Sequence, residues 1–188
     1  MLFRSVTDAE SVKALFAGLE RVDALVNAAG LAGPNPLSPD DGLWHAILAA
    51  NLTGSWLCCT AALPKIPDGT GRIVNMASTL GLRGVPDQPA YCAAKHGLIG
   101  LTRSLALAVA ARGMTVNAVC PGWVDTEMAH QRFATLGISR AEAAAGVPAG
   151  RIATGEDIAG VVAFLLSPAA GHITGHALPV DGGALASA

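Results

Sequence analysis

The sequence contains little charge, few aromatic residues and no long hydrophobic run. Charged residues occupy 14% and aromatic residues 4% of its 188 positions, against 52% for hydrophobic residues. The net charge is −2 and no basic run or patch occurs, so nucleic acid is not predicted as a partner. No stretch approaches the roughly 18 uninterrupted apolar residues of a membrane span, and no membrane partner is predicted.

Cysteine and histidine are scarce, and their spacing argues against disulfide and metal sites. The four cysteines include no C-x-x-C pair; they are Cys58, Cys59, Cys92 and Cys120. Two adjacent cysteines are a poor basis for a disulfide framework, so we predict reduced core residues in a cytoplasmic protein. His172 and His176 are four residues apart, but no acid or thiol lies near them, and no metal site is predicted.

Short apolar strands alternate with helices along the chain. Strands are predicted near residues 24–27, 73–77, 114–120 and 177–180, and long helices near 39–63, 89–112 and 154–166. The strands lack clean polar–apolar alternation, which is typical of a parallel sheet covered on both faces. The predicted fold class is therefore α/β. No repeat, low-complexity segment or linker divides the chain, so residues 1–188 are predicted to form one domain.

Several local signals mark where the helices begin and end. Three S/T-x-x-E/D sequences predict helix starts: Thr7 with Glu10, Ser139 with Glu142, and Thr154 with Asp157. Ser38 to Asp41 place a proline and two acids in the first turn of the 39–63 helix. Gly113 is predicted to end the 89–112 helix.

The candidate chemistry lies in a serine, a tyrosine and a lysine. Tyr91 is the only tyrosine, and Lys95 follows it at i+4, so both side chains share one helix face. A free tyrosine has a pKa near 10, too high for a base at neutral pH, and a nearby cation stabilises the phenolate. Ser78, at the end of the 73–77 strand, is placed to hydrogen-bond an oxygen that gains a proton. Such a set can move a proton on and off an alcohol, although a lone Tyr-x-x-x-Lys often occurs by chance.

These residues resemble the short-chain dehydrogenases/reductases, a family of Rossmann-fold NAD(P)-dependent oxidoreductases. The match runs from about residue 8 to residue 183. Ser78, Tyr91 and Lys95 match three members of the family's catalytic tetrad at the usual spacing. Asn51 matches the fourth, and the resemblance implies that it holds a water that links Lys95 to solvent. On its own, Asn51 could equally be a helix-surface asparagine.

Three further segments match the family in order. The first is the segment 27–30, which resembles the family's turn after the fourth strand and consists of Asn27, Ala28, Ala29 and Gly30. The resemblance implies that Asn27 stabilises the sheet beneath the cofactor. Alternatively, Asn27 merely caps a turn. The segment 121–126 resembles the stretch that contacts nicotinamide and phosphates; its implied cofactor-binding residues are Pro121, Gly122, Val124 and Thr126, together with Tyr91 and Lys95. Thr126 could instead be a helix N-cap, or serve both roles. The segment 180–183 resembles the C-terminal strand signature.

The family's N-terminal phosphate-binding motif is missing from the sequence. Neither Gly-x-x-x-Gly-x-Gly nor Gly-x-Gly-x-x-Gly occurs among the 22 glycines. The expected fold is therefore a Rossmann-like doubly wound parallel sheet that is N-terminally truncated, with Leu2 to Val6 as the remnant of the third strand. The strand that ends at Asn27 should then expose an unpaired edge and an apolar flank. Affinity for NAD or NADP should fall severely, and no preference between the two cofactors is predicted.

The resemblance implies an NAD(P)-dependent oxidoreductase that interconverts a ketone and a secondary alcohol. The run 88–128 looks most like the branch of 3-oxoacyl-carrier-protein reductases, polyketide ketoreductases and 3-hydroxybutyrate dehydrogenases. Residues 123–150 are predicted to form the substrate lid. Helices near 39–63 and 89–112 carry little charge, and the family uses them in homo-oligomers. Two alternatives stay open: a non-catalytic assembly partner, and a fragment from a wrong start site.

Overall fold

The computed structural model describes residues 5–35, 37 and 42–187. Within them, four parallel strands form one sheet in the order β1-β2-β3-β4. The strands are β1 (Ala24–Asn27), β2 (Arg72–Met76), β3 (Thr115–Pro121) and β4 (Ala177–Val180). The α/β class and the parallel sheet are confirmed, and each strand lies within one residue of its predicted bounds.

The central strands are buried on both faces, which explains their lack of alternation. In β2 and β3 every residue is buried except Met76 and Pro121 at their carboxyl ends. Ile73 and Val116 pair in register and pack with α1, α3 and α4, whereas Val74 and Val119 face α7. Burial of both faces therefore holds β2 and β3 at the centre of the fold.

In the part of the chain that the structure describes, seven α-helices connect or flank the strands. They are α1 (Ala9–Ala17), α2 (Gly42–Leu48), α3 (Gly54–Ala62), α4 (Pro89–Val109), α5 (Glu127–Leu136), α6 (Arg140–Ala145) and α7 (Gly155–Leu166). The capping boxes of α6 and α7 are formed as predicted. Gly113 ends the helix that contains α4 with a left-handed φ of 67°, which glycine adopts without the Cβ clash of other residues.

The helix predicted near 39–63 is interrupted in its middle. A π-helical turn, Ala49–Thr53, separates α2 from α3, and a 3-10 turn, Leu63–Lys65, follows α3. The predicted start at 38–41 lies outside the described residues. By length and a mean hydropathy of 1.5, the stretch Gly42–Lys65 could cross a membrane, but core helices of globular proteins pass the same test. Here α2 packs on α4, and α3 packs on α1 and β1.

Two N-terminal predictions differ from the structure. The N-cap of α1 is Asp8, not Thr7, because the Asp8 carboxylate accepts the Glu10 N–H at 3.1 Å while Thr7 Oγ1 lies 2.8 Å from Ser5 Oγ. Of the predicted strand remnant, residues 2–4 lie outside the described residues and Val6 lies in a turn.

The edge of β1 is open, as predicted. Among the described residues β1 pairs with β2 alone, so its other edge presents backbone groups without ladder partners. Val26 of β1 is exposed, and a shallow cavity of about 180 Å³ beside the strand is lined by apolar side chains that include Leu15 and Phe16. The sheet therefore has an apolar flank on this side.

Candidate active site

The predicted site residues gather at one edge of the sheet. Because the four strands are parallel, their carboxyl ends meet at that edge, which carries Asn27 at the end of β1, Ser78 after β2 and Pro121 at the end of β3. Helix α4 begins above the same edge and brings Tyr91 and Lys95 to it. Asn51 arrives from the π-helical turn.

Ser78 and Tyr91 lie next to each other at this edge. Ser78 has extended backbone and its Oγ accepts the Leu80 N–H at 3.1 Å, which caps the 3-10 turn Thr79–Gly81. The same side chain is close enough to the Tyr91 phenol to lower its pKa. Gly81 makes this approach possible, since a Cβ there would lie 2.8 Å from the Lys95 carbonyl oxygen. The strand end and the helix are therefore in close contact at the phenol.

Lys95 is buried beneath Tyr91. Its side chain is 4% exposed, and Nζ lies 5.4 Å from the centroid of the Tyr91 ring. Nζ donates a hydrogen bond to the Met76 carbonyl oxygen at 2.7 Å, which ties α4 to the end of β2. Burial lowers the pKa of the ammonium to about 8.

Asn51 is a buried residue, and the helix-surface alternative is excluded. It is 1% exposed, and its Nδ2 donates to the carbonyl oxygens of Leu31 at 2.7 Å and Ile47 at 2.9 Å. Its Oδ1 has no hydrogen-bond partner among the described residues. A Cβ on Gly30 would lie 2.7 Å from this oxygen and 3.9 Å from Lys95 Nζ, so Asn51, Gly30 and Lys95 surround one small polar space.

The electrostatics of Tyr91 differ from the sequence expectation. Burial raises the pKa of the phenol and outweighs the lowering by the nearby Ser78 side chain. The Lys95 ammonium does not offset burial because it is itself desolvated and is hydrogen-bonded to Met76. In this structure the phenol is therefore held in its protonated form at neutral pH.

In the segment 27–30, the first residue is buried and holds the sheet together, and the other three are exposed. Asn27 is buried, and its Nδ2 donates to Asn75 Oδ1 at 2.8 Å and to Cys59 Sγ at 3.2 Å, so its side chain holds the sheet to α3. Ala28, Ala29 and Gly30 are exposed at the sheet edge.

The segment 121–126 closes the other side of the edge. Gly122 approaches β4 so closely that a Cβ there would lie 2.9 Å from Asp181 Cβ. Val124 forms a parallel bridge with Ala153 and packs on the core next to α7. Thr126 is the N-cap of α5, with its Oγ1 accepting the Ala129 N–H at 3.4 Å.

Several buried polar residues of the site were missed from the sequence. Asn75 Nδ2 donates to Thr102 Oγ1 at 2.9 Å, which extends the Asn27 bond across β2 to α4. Asn117 bonds the 173–176 loop through both side-chain atoms. Asn35 accepts the Ala90 N–H, one residue before Tyr91. An asparagine inside an apolar strand was the available signal for Asn75 and Asn117, because buried amides need partners.

The four cysteines are free, and three of them are buried: Cys58, Cys59 and Cys120. Burial raises the pKa of Cys59 to about 12 and of Cys120 to about 11. Within the described ranges no group of three or more metal-ligating side chains occurs.

Comparisons with known proteins match nearly the whole chain to a set of related reductases and dehydrogenases. A family profile described as enoyl-(acyl carrier protein) reductase matches residues 4–184. The chain is 42% identical to the 3-oxoacyl-[acyl-carrier-protein] reductase FabG of Haemophilus influenzae, over 97% of this chain and 76% of that protein. It is 41% identical to the inactive 2-(S)-hydroxypropyl-CoM dehydrogenase 2 of Xanthobacter autotrophicus, over 95% of this chain and 81% of that protein.

Solved structures agree with the sequence comparisons. A crystal structure of actinorhodin polyketide ketoreductase with NADPH superposes with a TM-score of 0.88 at 38% identity, covering 96% of this chain and 75% of that one. The structure of ElxO with NADP bound gives a TM-score of 0.85 at 31% identity, covering 97% and 77%. The chain thus spans about three quarters of the length of these relatives.

Proposed function

The chain belongs to the short-chain dehydrogenase/reductase family, and from that premise we propose that it is an NAD(P)-dependent oxidoreductase that interconverts a ketone and a secondary alcohol. The observation that carries the proposal is the assembly of Ser78, Tyr91, Lys95 and Asn51 at the carboxyl edge of the sheet. Ser78 lies beside the phenol and lowers its pKa, and Lys95 lies buried beneath the phenol ring.

The residues present fit the polar end of a dinucleotide next to Tyr91. Asn51 Oδ1 is buried without a partner among the described residues and faces the space between Gly30 and Lys95. A buried amide oxygen without a partner costs free energy unless a polar group reaches it, so this space suits a water or a hydroxyl. Residues 27–30, 121–122, 124 and 126 line the same edge and would hold the nicotinamide end. No described loop supplies the glycine-rich phosphate cradle.

Each member of the set has a distinct role in ketone reduction. The cofactor supplies the hydride. Tyr91 donates the proton to the carbonyl oxygen, and its raised pKa keeps it in the acid form that reduction needs. Ser78 hydrogen-bonds that oxygen and orients the carbonyl.

Lys95 and Asn51 return the proton to Tyr91. Lys95, with a pKa of about 8, can give up and regain a proton near neutral pH. Asn51 Oδ1 accepts a hydrogen bond from the relay that leads from Lys95 to solvent.

The substrate class we propose is a 3-oxoacyl thioester or a related ketone. Support comes from the similarity to the FabG reductase, whose name specifies a 3-oxoacyl group on acyl carrier protein, and to the polyketide ketoreductase, whose name specifies a polyketide. Residues 123–150, which contain α5 and α6, would form the lid over the carbonyl, and variation there would set specificity.

Replacing the phenol tests the catalytic assignment. We expect Tyr91→Phe to lose at least about 100-fold in turnover of acetoacetyl-CoA with NADPH or NADH, since it removes the proton donor. The fold should persist, because the ring would still pack against the cluster that contains Ile47, Ala90 and Ala94. The measurement is cofactor oxidation by absorbance, with the thermal midpoint as the control for folding. Turnover in Tyr91→Phe that equals the wild type would refute the assignment.

A second candidate is a non-catalytic assembly partner. The sequence observation that favours it is the lack of Gly-x-x-x-Gly-x-Gly among 22 glycines, and one similar protein is named inactive. Titration with NADPH and NADH, followed by protein fluorescence, separates the candidates: no binding at millimolar cofactor favours the partner, and saturable binding favours the enzyme.

A further inference from the structure

The first turn of α4 is capped from a distant loop. Gln88, at the N-cap position, makes no side-chain hydrogen bond to the helix, and Pro89 occupies the first turn. The Ala90 N–H is completely buried and would lack an acceptor, but Asn35 Oδ1 receives it at 3.2 Å. Asn35 is itself 4% exposed and lies 55 residues earlier in the chain. It therefore fixes the residue next to Tyr91.

Asn35 also holds the loop that leads into α4. Its backbone N–H donates to the Asp87 carbonyl oxygen at 3.0 Å. Asn35 thus makes a hydrogen bond on each side of the turn 88–89: its backbone bonds Asp87 before the turn, and its side chain bonds Ala90 after it. This leaves the start of α4 little freedom to shift.

The Asp87 carboxylate connects this loop to α5. Arg132 Nη2 donates to Asp87 Oδ1 at 2.9 Å, and Arg132 Nη1 lies 2.7 Å from Asp87 Oδ2. The arginine side chain is only 14% exposed. The guanidinium lowers the pKa of the Asp87 carboxyl, so the pair is ionised at neutral pH. Within residues 42–187, the Asp87–Arg132 pair is the ion pair that joins α5 to the loop before α4. The other ion pairs of α5 and α6 join those helices to Asp125, in the segment just before α5.

The rest of α5 packs on its own small cluster. Phe133 contacts Trp123 with ring centroids 4.9 Å apart and packs with Ala129, Ala143 and Ile152. These contacts hold α5 to α6 and to the segment after β3, but not to the start of α4. The position of α5 relative to Tyr91 therefore depends on the Asp87–Arg132 pair.

We propose that Asn35, Asp87 and Arg132 form a positioning network that fixes Tyr91 relative to the lid helix α5 and so determines which ketones reach the phenol. These are positioning residues, since none of them touches the reacting atoms. The inference rests on the proposed function for its effect on turnover, but its structural part can be measured without turnover.

The single tyrosine gives a direct measurement. Ultraviolet titration of the phenolate reports on Tyr91 alone, because the sequence contains no other tyrosine. Hydrogen exchange of residues 90–94 and 127–136 reports on the first turn of α4 and on α5. Both readings apply whether or not the protein turns over a ketone.

Substitutions in the network distinguish an effect of the Asp87–Arg132 ion pair on Tyr91 from a general loss of stability. We expect Arg132→Gln and Asp87→Asn to move the Tyr91 titration toward that of free tyrosine and to speed exchange at residues 90–94. Arg132→Lys should give a smaller change, because lysine lacks the planar fork that matches the carboxylate. Asn35→Leu should act like Arg132→Gln, whereas Asn35→Asp retains an acceptor and should restore the wild-type exchange of Ala90.

The matched control is Arg151→Gln. Arg151 makes a similar two-point pair with Asp157, at 2.6 and 3.0 Å, but at the start of α7. The Arg151→Gln substitution should leave the pH titration of Tyr91 and the hydrogen exchange of residues 90–94 unchanged. If Arg132→Gln and Asp87→Asn behave like Arg151→Gln, the network does not position Tyr91 and the proposal fails.

Turnover adds the specificity part of the test. With an active wild type, Arg132→Gln should lower kcat by roughly tenfold and should narrow the difference in KM between short and long 3-oxoacyl thioesters. An unchanged kcat and unchanged chain-length preference would overturn the specificity claim. If the wild type shows no turnover, the proposed function fails, and the titration and exchange results still decide whether the network positions Tyr91.

Discussion

At the residue scale, the most consequential group is a buried cation. Lys95 has no carboxylate partner among the described residues, and its ammonium is satisfied by the Met76 carbonyl oxygen. A buried charge without a counter-ion costs stability, and the lowered pKa expresses that cost. The protein retains Lys95 at the position where a proton relay needs a group that titrates near neutral pH.

The cost of this lysine predicts a pH dependence of stability. Between its folded pKa of about 8 and its unfolded value of 10.5, the unfolded chain binds more protons, so stability rises with pH across that window. Lys95→Met removes this contribution. We expect the wild type to gain about 2 kcal/mol relative to Lys95→Met between pH 7 and pH 10.

Urea unfolding of both proteins across this pH range provides the measurement. The difference between the two curves removes the other groups that titrate there, among them the buried cysteines, whose raised pKa values act in the opposite direction. Parallel curves for the two proteins would mean that Lys95 is not desolvated as the structure indicates.

At the element scale, the site depends on a π-helical turn that meets the loop after β1. The extra residue in the turn 49–53 points Asn51 at Leu31 and Gly30, while α2 and α3 keep their own packing. Such turns are common at functional sites because they re-aim one side chain without ending a helix. The contact at Gly30 is the tightest part of this arrangement.

Adding a single methyl group tests that contact. In Gly30→Ala, the new Cβ would lie 2.7 Å from Asn51 Oδ1, so Asn51 must move and its bond to Leu31 must weaken. We expect a loss of about 1–3 kcal/mol in the free energy of unfolding, measured with urea. In an Asn51→Ala background, the same substitution should cost clearly less, because the clashing oxygen is gone.

Gly100→Ala is the control for this substitution. A Cβ at Gly100 meets nothing within 4 Å, so alanine there should stabilise α4 by about 0.4–1 kcal/mol. An equal cost of Gly30→Ala with and without Asn51 would contradict the close approach of the two residues.

The elements were more predictable from the sequence than their junctions. Apolar runs and glycine or capping signals located β1 to β4, the end of the α4 helix at Gly113 and the box at Ser139. Periodicity cannot reveal the one-residue insertion of a π-helical turn, so the interruption near Asn51 was missed. The Asp87–Arg132 pair joins residues 45 apart and leaves no local pattern. Thr7 was predicted as the cap from its spacing to Glu10; aspartate also caps helices, and only the backbone geometry shows that Asp8 takes this place.

At the scale of the whole molecule, the fold leaves apolar surface that its own sheet does not cover. The flank of β1 is one such region, and the outer faces of α3 and α4 are another. On α4, Leu107 is 81% exposed, and Trp56 of α3 is also exposed. Single exposed apolar residues are common, and these two lie on helices with little charge. From the family resemblance we propose that the helices near 39–63 and 89–112 meet a second copy of the chain, with Trp56 and Leu107 in the contact.

Charge placed on these two helices should therefore disrupt an oligomer. We expect Trp56→Lys with Leu107→Lys to shift the wild type to a smaller species in sedimentation velocity, because burial of two ammonium groups in an apolar interface is costly. Lysine near the C-terminal end of α4 suits the helix dipole, so the monomer fold should tolerate it. Leu37→Lys is the control: Leu37 is 88% exposed but lies outside both helices, so its charge should leave the oligomer intact. If the double variant and the control sediment alike, α3 and α4 do not form the interface, and the exposed flank of β1 becomes the next surface to test.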